Sequence, residues 1–227
     1  MSVALRTYLR YLVPLTLLSA LALSPLVYIA LAVDTPRDAA QARGIVMLAW
    51  TAGATAWIGQ LLLVAGAAPA ARGLVAGAAL SQRHAFARGA VAMLRALVPC
   101  LLAAAAVVVG ALALVVPALV LVTLLALTGA SPETNPPLSR LRDSIAAVRA
   151  HVTPVAATVA AIAFFDVALV LVARRFSAPL MGKKPTVTEL AAYRHLIDIV
   201  VAGLVLASPL AAATLASLRA TRDDHIT

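Results

Sequence analysis

Charge is the scarcest ingredient of this sequence. Charged residues make up only 12% of its 227 positions, about half the share of an ordinary soluble domain, so a water-facing shell of normal density cannot be built from it. Its one cysteine, Cys100, excludes an intrachain disulfide and indicates no redox role. Aromatic residues amount to 4%, and none interleave with a basic patch, so the net charge of +9 lacks the stacking surface it would have in a nucleic-acid binder. No nucleic-acid partner is expected. His84, His151, His195 and His225 are scattered, without the clustering of a metal site. GxSxG, HExxH, Walker and glycine-rich phosphate motifs are all missing. The chain therefore reads as non-enzymatic, with no cofactor and no metal.

What the sequence has in excess is apolar length. Hydrophobic residues reach 63% and the mean hydropathy is +1.00, which belongs to the membrane class. Apolar runs near 12–33, 45–68, 92–130, 152–173 and 195–217 each meet the roughly 20 residues that a helical crossing needs. The fold class is all-α, a polytopic transmembrane helix bundle with short amphipathic interfacial helices, forming one integral-membrane domain over 1–227. Between Gly89 and Gly129 the only charge is Arg95. A helix of about 40 residues would extend ~60 Å, twice the ~30 Å hydrocarbon core. Gly110 and Pro117 offer places to turn, so this run predicts two crossings and the chain six, with five as the alternative.

Basic residues orient such a bundle, because Lys and Arg near helix ends stay on the cytoplasmic side. Six helices with the N-terminus inside place 11 basic residues inside and 7 outside, and five helices divide them the same way. Charge thus predicts an inside N-terminus without deciding the helix count. The juxtamembrane arginines make a bilayer with anionic headgroups the first expected partner, at about 1 kcal/mol per residue. Arg outnumbers Lys 16 to 2 and Ala is abundant, in keeping with a bacterial genome rich in G and C and hence with the bacterial inner membrane. Arg6 and Arg10 before an apolar run, with Ala30-Leu31-Ala32 beyond it, have the outline of a secretion signal. The run of about 20 residues exceeds a signal core of 7–15, so a retained first helix is expected, bent or bounded by Pro14 and Pro25.

Local signals predict where helices start. Thr35, Pro36 and Asp38 combine a cap hydroxyl, a proline for the first position and an acid near the positive helix end. Thr186 and Glu189 form a T-x-x-E capping box, which predicts a last helix from 187 to about Leu218. Leu138, Leu141, Ile145, Val148 and Val152 fall on one helical stripe, with Arg140 and Asp143 opposite. Leu80, Ala87, Val91, Leu94 and Val98 make a similar stripe. Arg88 with Arg95, and Arg142 with Arg149, share one spacing 54 residues apart, each followed by a proline at Pro99 or Pro154. These are either two arms of a duplication or two ordinary interfacial helices with snorkelling arginines. Gly73 and Gly77 form a GxxxG match, and Ala52, Ala56 and Gly59 a small-residue face, both suited to close helix packing. Trp50 and Trp57 lie seven apart on one face, which suits lipid anchoring and a ligand pocket equally.

Gly59-Gln60, Arg72-Gly73, Leu80-Ser81 with Ala85, Arg88-Gly89 and Arg95, then Val116-Pro117-Ala118 and the segment from Leu138 to Arg149, together make a pattern of small and basic residues. Over roughly residues 40–160 it resembles the bacterial six-helix membrane domain of glycerophosphodiester phosphodiesterases and related integral-membrane proteins of unknown function. The turn in that family has Pro-Gly where this chain has Pro117-Ala118, and Arg149-Ala150-His151 departs from the family's glycine-rich ending. The resemblance implies an architecture without the catalytic domain.

Ionisable and polar residues inside spans are the candidate functional positions, because a charge costs about 2.5–3.5 kcal/mol at the bilayer centre unless paired or hydrated. Asp166, Asp198, Gln60 and Arg95 are those positions here. Asp166 and Asp198 would approach each other in a bundle. That arrangement reads as a proton or cation site, as an aspartate paired with Arg174, Arg175 or Arg194, or as a contact to a partner subunit. Two function classes follow: a scaffold or accessory subunit of a bacterial envelope or bioenergetic assembly, with partner membrane subunits or further copies of itself, or a small transporter or channel with Asp166 in its path. Sparse membrane-embedded polarity favours the first.

Overall fold

The computed structural model describes residues 2–32, 34, 37–113, 115–132, 135–182 and 186–224. Within the helices, side chains are described except at 32, 39, 42–43, 46, 49–55, 111–118, 166–167, 169–174, 176–182, 187, 190, 193 and 222–224. All regular structure among these residues is helical: α1 Val3–Arg10, α2 Leu12–Ala22, α3 Ser24–Ala32, α4 Ala39–Val75, α5 Gln82–Ala113, α6 Val115–Leu125, a 3-10 turn Thr128–Ala130, α7 Pro137–Ala150, α8 Val152–Gly182 and α9 Val187–Asp224. Three stretches are long and apolar enough to cross a membrane, Ala56–Val75, Gln82–Gly110 and Arg194–Thr221, and up to five if each bent helix pair is one span. The bent pairs are α2 with α3, at 82°, and α7 with the first part of α8, at 106°.

Local chemistry sets these boundaries. Pro14 and Pro25 fall in the first turns of α2 and α3, where a missing amide donor is tolerated, and the chain bends between these helices at Leu23. Asp38 caps α4: its carboxylate accepts the amide of Gln41 at 2.7 Å, and the Gln41 side chain accepts the amide of Arg37 at 2.9 Å. Thr35 and Pro36 lie outside the described residues. The Thr186 capping box forms as the spacing predicts, with the Thr186 amide donating to Glu189 at 2.7 Å and the Glu189 amide to the Thr186 hydroxyl at 3.3 Å. The helix it starts continues past Leu218 to Asp224. α5 runs to Ala113 and α6 starts at Val115, so Gly110 and Pro117, the expected turn positions, are both helical, and residue 114 between the two helices lies outside the described residues. With 11 residues, α6 is about 16 Å long, short of a full ~30 Å crossing.

The two amphipathic stripes face differently from the sequence reading. In α5, Leu94 is 74% exposed and Val91 and Val98 also point outward, whereas Ala85, Gly89, Ala92, Ala96, Cys100 and Ala103 are buried. Lipid is as apolar as leucine, so burying a leucine gains little there, and close approach selects small residues for the inside. From Ala87 to Val98 the stripe is thus part of one long helix, Leu80 lies in the turn before it, packed on the core, and no separate interfacial helix precedes α5. α7 is separate, but Leu138 is 67% exposed and Arg140 only 3%. Arg140 lies off the stripe, as the spacing predicts, but that side of α7 is buried: Arg140 is bonded inside the bundle. The two arms of the suggested duplication therefore differ in shape, one continuous and one broken at His151. The Gly73–Gly77 match is no helix seam either. Gly77 has φ of +69° and ends α4, while a Cβ on Gly73 would sit 2.9 Å from the returning Ala78 carbonyl.

Small residues bring the long helices together. Gly59 of α4 packs on the backbone of Ala22, Gly89 of α5 on Gly66 of α4, and Gly129 of the 3-10 turn on Leu61 and Ala65. Cross-helix bonds then fix the ends. The Thr7 and Ser217 hydroxyls lie 3.4 Å apart, the Tyr11 hydroxyl donates to the Leu80 carbonyl at 3.0 Å, and Gln82 donates to the Arg10 carbonyl. α1, the α4–α5 turn and the last turns of α9 therefore share one end of the bundle. At the other end Arg194 donates to the Ala30 carbonyl, above a cluster of Leu26, Ile29, Ile45, Ile197 and Val201.

Candidate functional site

Among the described side chains, the candidate positions Asp198, Gln60 and Arg95 do not converge. Asp198 forms an i,i+4 ion pair with Arg194 on α9, whose guanidinium also reaches the Ala30 carbonyl of α3. This is the pairing, with Arg194, that sequence reasoning offered as one reading of such an aspartate. Asp166 is in the backbone of α8, but its side chain, and so its approach to Asp198, lies outside the described residues. Gln60 is half-buried on α4. It borders two cavities among α4, α8 and α9, one of about 90 Å³ that Trp57, Val122 and Ile162 also line, and one of about 440 Å³ that reaches Thr158, Phe165, Leu204 and Thr214. Ser208 of α9 borders both as well. The sequence reading missed Ser208, whose only signal is a hydroxyl before Pro209 in an apolar helix. Both cavities are apolar apart from these few hydroxyl and amide groups.

Arg95 lies at the other level of the molecule. Its side chain is exposed and, with Arg72 and Arg88, lines a groove of about 700 Å³ between α4 and α5. Its carbonyl is four residues before Pro99, which has no amide to donate, so the usual helical bond to that oxygen is not made. Arg140 of α7 supplies the donor instead, from its Nη1 at 3.4 Å, while its Nε donates to the Asn135 carbonyl at 3.2 Å.

Around Arg140 sits a polar cluster that the sequence stripe concealed. Asn135 donates to the Asp143 carboxylate at 2.6 Å, the Ser131 hydroxyl to the Arg140 carbonyl at 3.3 Å, the Ser144 hydroxyl to the Leu124 carbonyl at 2.8 Å, and Arg219 of α9 to the Asp143 carbonyl at 3.3 Å. Buried polar groups are tolerable when bonded in this way. These contacts tie α7 to α5, α6 and α9, so the arrangement is a joint of the bundle. The exposed Ser81 and His84, 2.7 Å apart, are likewise a helix start, since the Ser81 hydroxyl accepts the His84 amide at 3.4 Å. Among the described residues no group of three or more His, Cys, Asp or Glu is placed to hold a metal ion. No protein-family model, curated protein or solved structure matches this chain.

Proposed function

We propose that this chain is a non-enzymatic scaffold or accessory subunit of a bacterial envelope or bioenergetic membrane assembly, lying in the inner membrane with six crossings and both ends in the cytoplasm. The parity of the crossings supports the six. α1 precedes the first apolar segment and Ser217 ends the last, and Thr7 and Ser217 meet at one end of the bundle, which an even number of passes requires. α6 is then a short pass. Its start follows α5 at the far end, and its end is held by Ser144 on the near one. The near end carries Arg6, Arg10, Arg72, Arg83 and Arg88, which supports assigning it to the cytoplasm.

The observation that carries the scaffold reading is the division of side chains. Large apolar residues such as Val13, Leu94, Val109, Phe164 and Ile199 face outward, polar groups cluster at helix joints, and the described intramembrane acid, Asp198, is paired. Such a molecule offers much apolar surface to lipid and partner helices and little polar lining to a solute. Purification in mild detergent is expected to yield a stoichiometric complex with other membrane subunits or with further copies of the chain. A lone monomer under conditions that preserve known membrane complexes refutes the reading.

A transporter is the second reading, and the cavity shared by Gln60, Thr158, Ser208 and Thr214 on helices flanking Asp166 favours it. Asp166→Asn removes the charge while keeping the shape and most hydrogen bonding. Loss of an ion or solute flux into proteoliposomes, with folding intact, would promote this reading over the scaffold.

A further inference from the structure

We infer that the adjoining cavities among α4, α8 and α9 hold one molecule of a lipid-soluble quinone, its ring carbonyls accepting hydrogen bonds from Gln60 and Ser208. The first observation is a pair of unmet polar groups. Ser208 is 7% exposed and Gln60 half-buried, both border the inner and the outer cavity, and neither side chain forms a hydrogen bond among the described residues. The two threonines of the outer cavity differ, since Thr158 donates to the Pro154 carbonyl at 2.8 Å and Thr214 to the Leu210 carbonyl at 2.8 Å. An unmet hydroxyl or amide away from water costs free energy that a ligand bearing acceptors recovers. The described residues that line the two cavities include no ionisable group, and a charged ligand at membrane depth without a counter-charge is costly. The acceptors therefore belong to a neutral headgroup.

Depth separates this ligand from an ordinary bilayer lipid. Ser208 lies midway between Arg194 and Thr221, the ends of its apolar span, so about 20 Å of helix separates it from either end. A glycerolipid keeps its polar group at the interface and presents only acyl chain at this level, which would leave Gln60 and Ser208 unmet. A quinone carries its carbonyls on a ring apolar enough to enter the hydrocarbon core. Size points the same way. The inner cavity has about 90 Å³, less than the roughly 150 Å³ of an apolar cavity that takes up benzene, so the ring straddles both cavities. Trp57 stands on its inner side, and Gln60 of α4 and Ser208 of α9 approach it from different helices. The outer cavity, of about 440 Å³, is bordered by the exposed Phe165 and Leu210, which gives an apolar tail an exit to lipid between α8 and α9. The site goes beyond the scaffold reading and does not rest on it, because all these residues belong to one chain.

The test uses the full-length protein in nanodiscs, with Trp50→Phe to leave Trp57 as its single tryptophan. Decyl-benzoquinone is titrated in and quenching of the Trp57 emission is followed. Saturable quenching at one quinone per chain is expected. Gln60→Leu with Ser208→Ala should weaken binding about thirtyfold, the effect of two lost hydrogen bonds, whereas Thr221→Val, which removes an α9 hydroxyl outside both cavities, should change nothing. Decylbenzene, with the same tail and no carbonyls, should fail to displace the quinone, and so should diacylglycerol. Quenching that rises without saturation, or equal affinity in the double variant, shows mere partition into the bilayer and overturns the site. Displacement by diacylglycerol assigns the cavities to a neutral glycerolipid and overturns the quinone. Should the double variant fail to fold, the competitors decide the matter on the unaltered pocket: displacement by decylbenzene as effective as by the quinone itself refutes the hydrogen bonds to Gln60 and Ser208.

Discussion

Gly89→Ala is the sharpest test of how the long helices are held together. A Cβ at this position would lie 2.6 Å from the Leu18 side chain and 2.7 Å from the Gly66 carbonyl oxygen of α4. The leucine end can turn aside. The backbone oxygen can move only with its helix, and ordinary contact at 3.4 Å would require α4 and α5 to part by about 0.7 Å where both are already in register with α2. Overpacking of that kind costs about 1–3 kcal/mol, against a gain in helix propensity of about 1 kcal/mol, so a net loss of up to roughly 2 kcal/mol is expected, about 1–3 kcal/mol below a glycine-to-alanine change with open space. Gly203→Ala is the matched control, because a Cβ there meets nothing within 4 Å. Thermal unfolding of both variants in nanodiscs, followed by helical circular dichroism and by aggregation, gives the comparison. The double variant with Leu18→Ala separates the two contacts: it should recover little of the loss if the backbone oxygen is the obstacle. A Gly89→Ala protein as stable as Gly203→Ala would refute the close α4–α5 approach.

Three further outcomes are expected. Arg140→Ser should destabilise the protein by at least about 1.5 kcal/mol, the lower value for a bond from a charged donor, whereas Arg142→Ser on the exposed face should be silent; equal unfolding temperatures would contradict the buried placement of Arg140. Reporters fused after Thr227 and inserted near Asn135 should both read as cytoplasmic, and a periplasmic signal at either ends the six-crossing proposal. Asp198→Asn should cost no more than about 1 kcal/mol in an unfolding assay, since its side chain is 44% exposed and pairs of that exposure contribute little; a larger loss would mean that the pair is sealed from water and headgroups.

The helical, membrane-type class was legible because hydropathy over 20 residues is a property of composition, insensitive to which face points where. The Thr186–Glu189 start was legible because its bonds are local. Faces were not. The stripe Leu80 to Val98 was assigned to an interfacial segment by the rule for water-soluble helices, and in a chain with apolar surroundings that rule inverts, leaving Leu94 outside and Ala96 inside. Arg140 was hidden for a related reason: its acceptors, the carbonyls of Arg95 and Asn135, are brought to it by the tertiary fold, and no spacing within 138–149 signals them. Of the candidate positions, the Asp198 pair with Arg194 was visible as i,i+4 spacing, while the Gln60–Ser208 neighbourhood joins residues far apart in the chain and could not be.

Two prolines explain where the bundle's polar cross-links attach. A proline leaves the carbonyl four residues earlier without its helical donor. Pro14 does this to Arg10, whose oxygen accepts from Gln82 of α5, and Pro99 does it to Arg95, whose oxygen accepts from Arg140 of α7. An unmet oxygen is costly where water is scarce, so Pro99, beside the part-buried Arg95 carbonyl, creates a demand that Arg140 meets, while the exposed Arg10 carbonyl offers Gln82 a free acceptor. Pro99→Ala makes this testable. Elsewhere in a helix the change would gain up to about 3 kcal/mol. Here the new amide competes with Arg140 for one oxygen, so part of that gain is offset by the weakened joint between α5 and α7. In an Arg140→Met background nothing competes, and Pro99→Ala should stabilise more than it does in the parent. The difference between the two, a coupling of about 1 kcal/mol, is read from a double-mutant cycle of unfolding in nanodiscs. Additive effects of the two substitutions would show that the Arg95 carbonyl is satisfied independently of Arg140, and the account of the prolines as attachment points would fall.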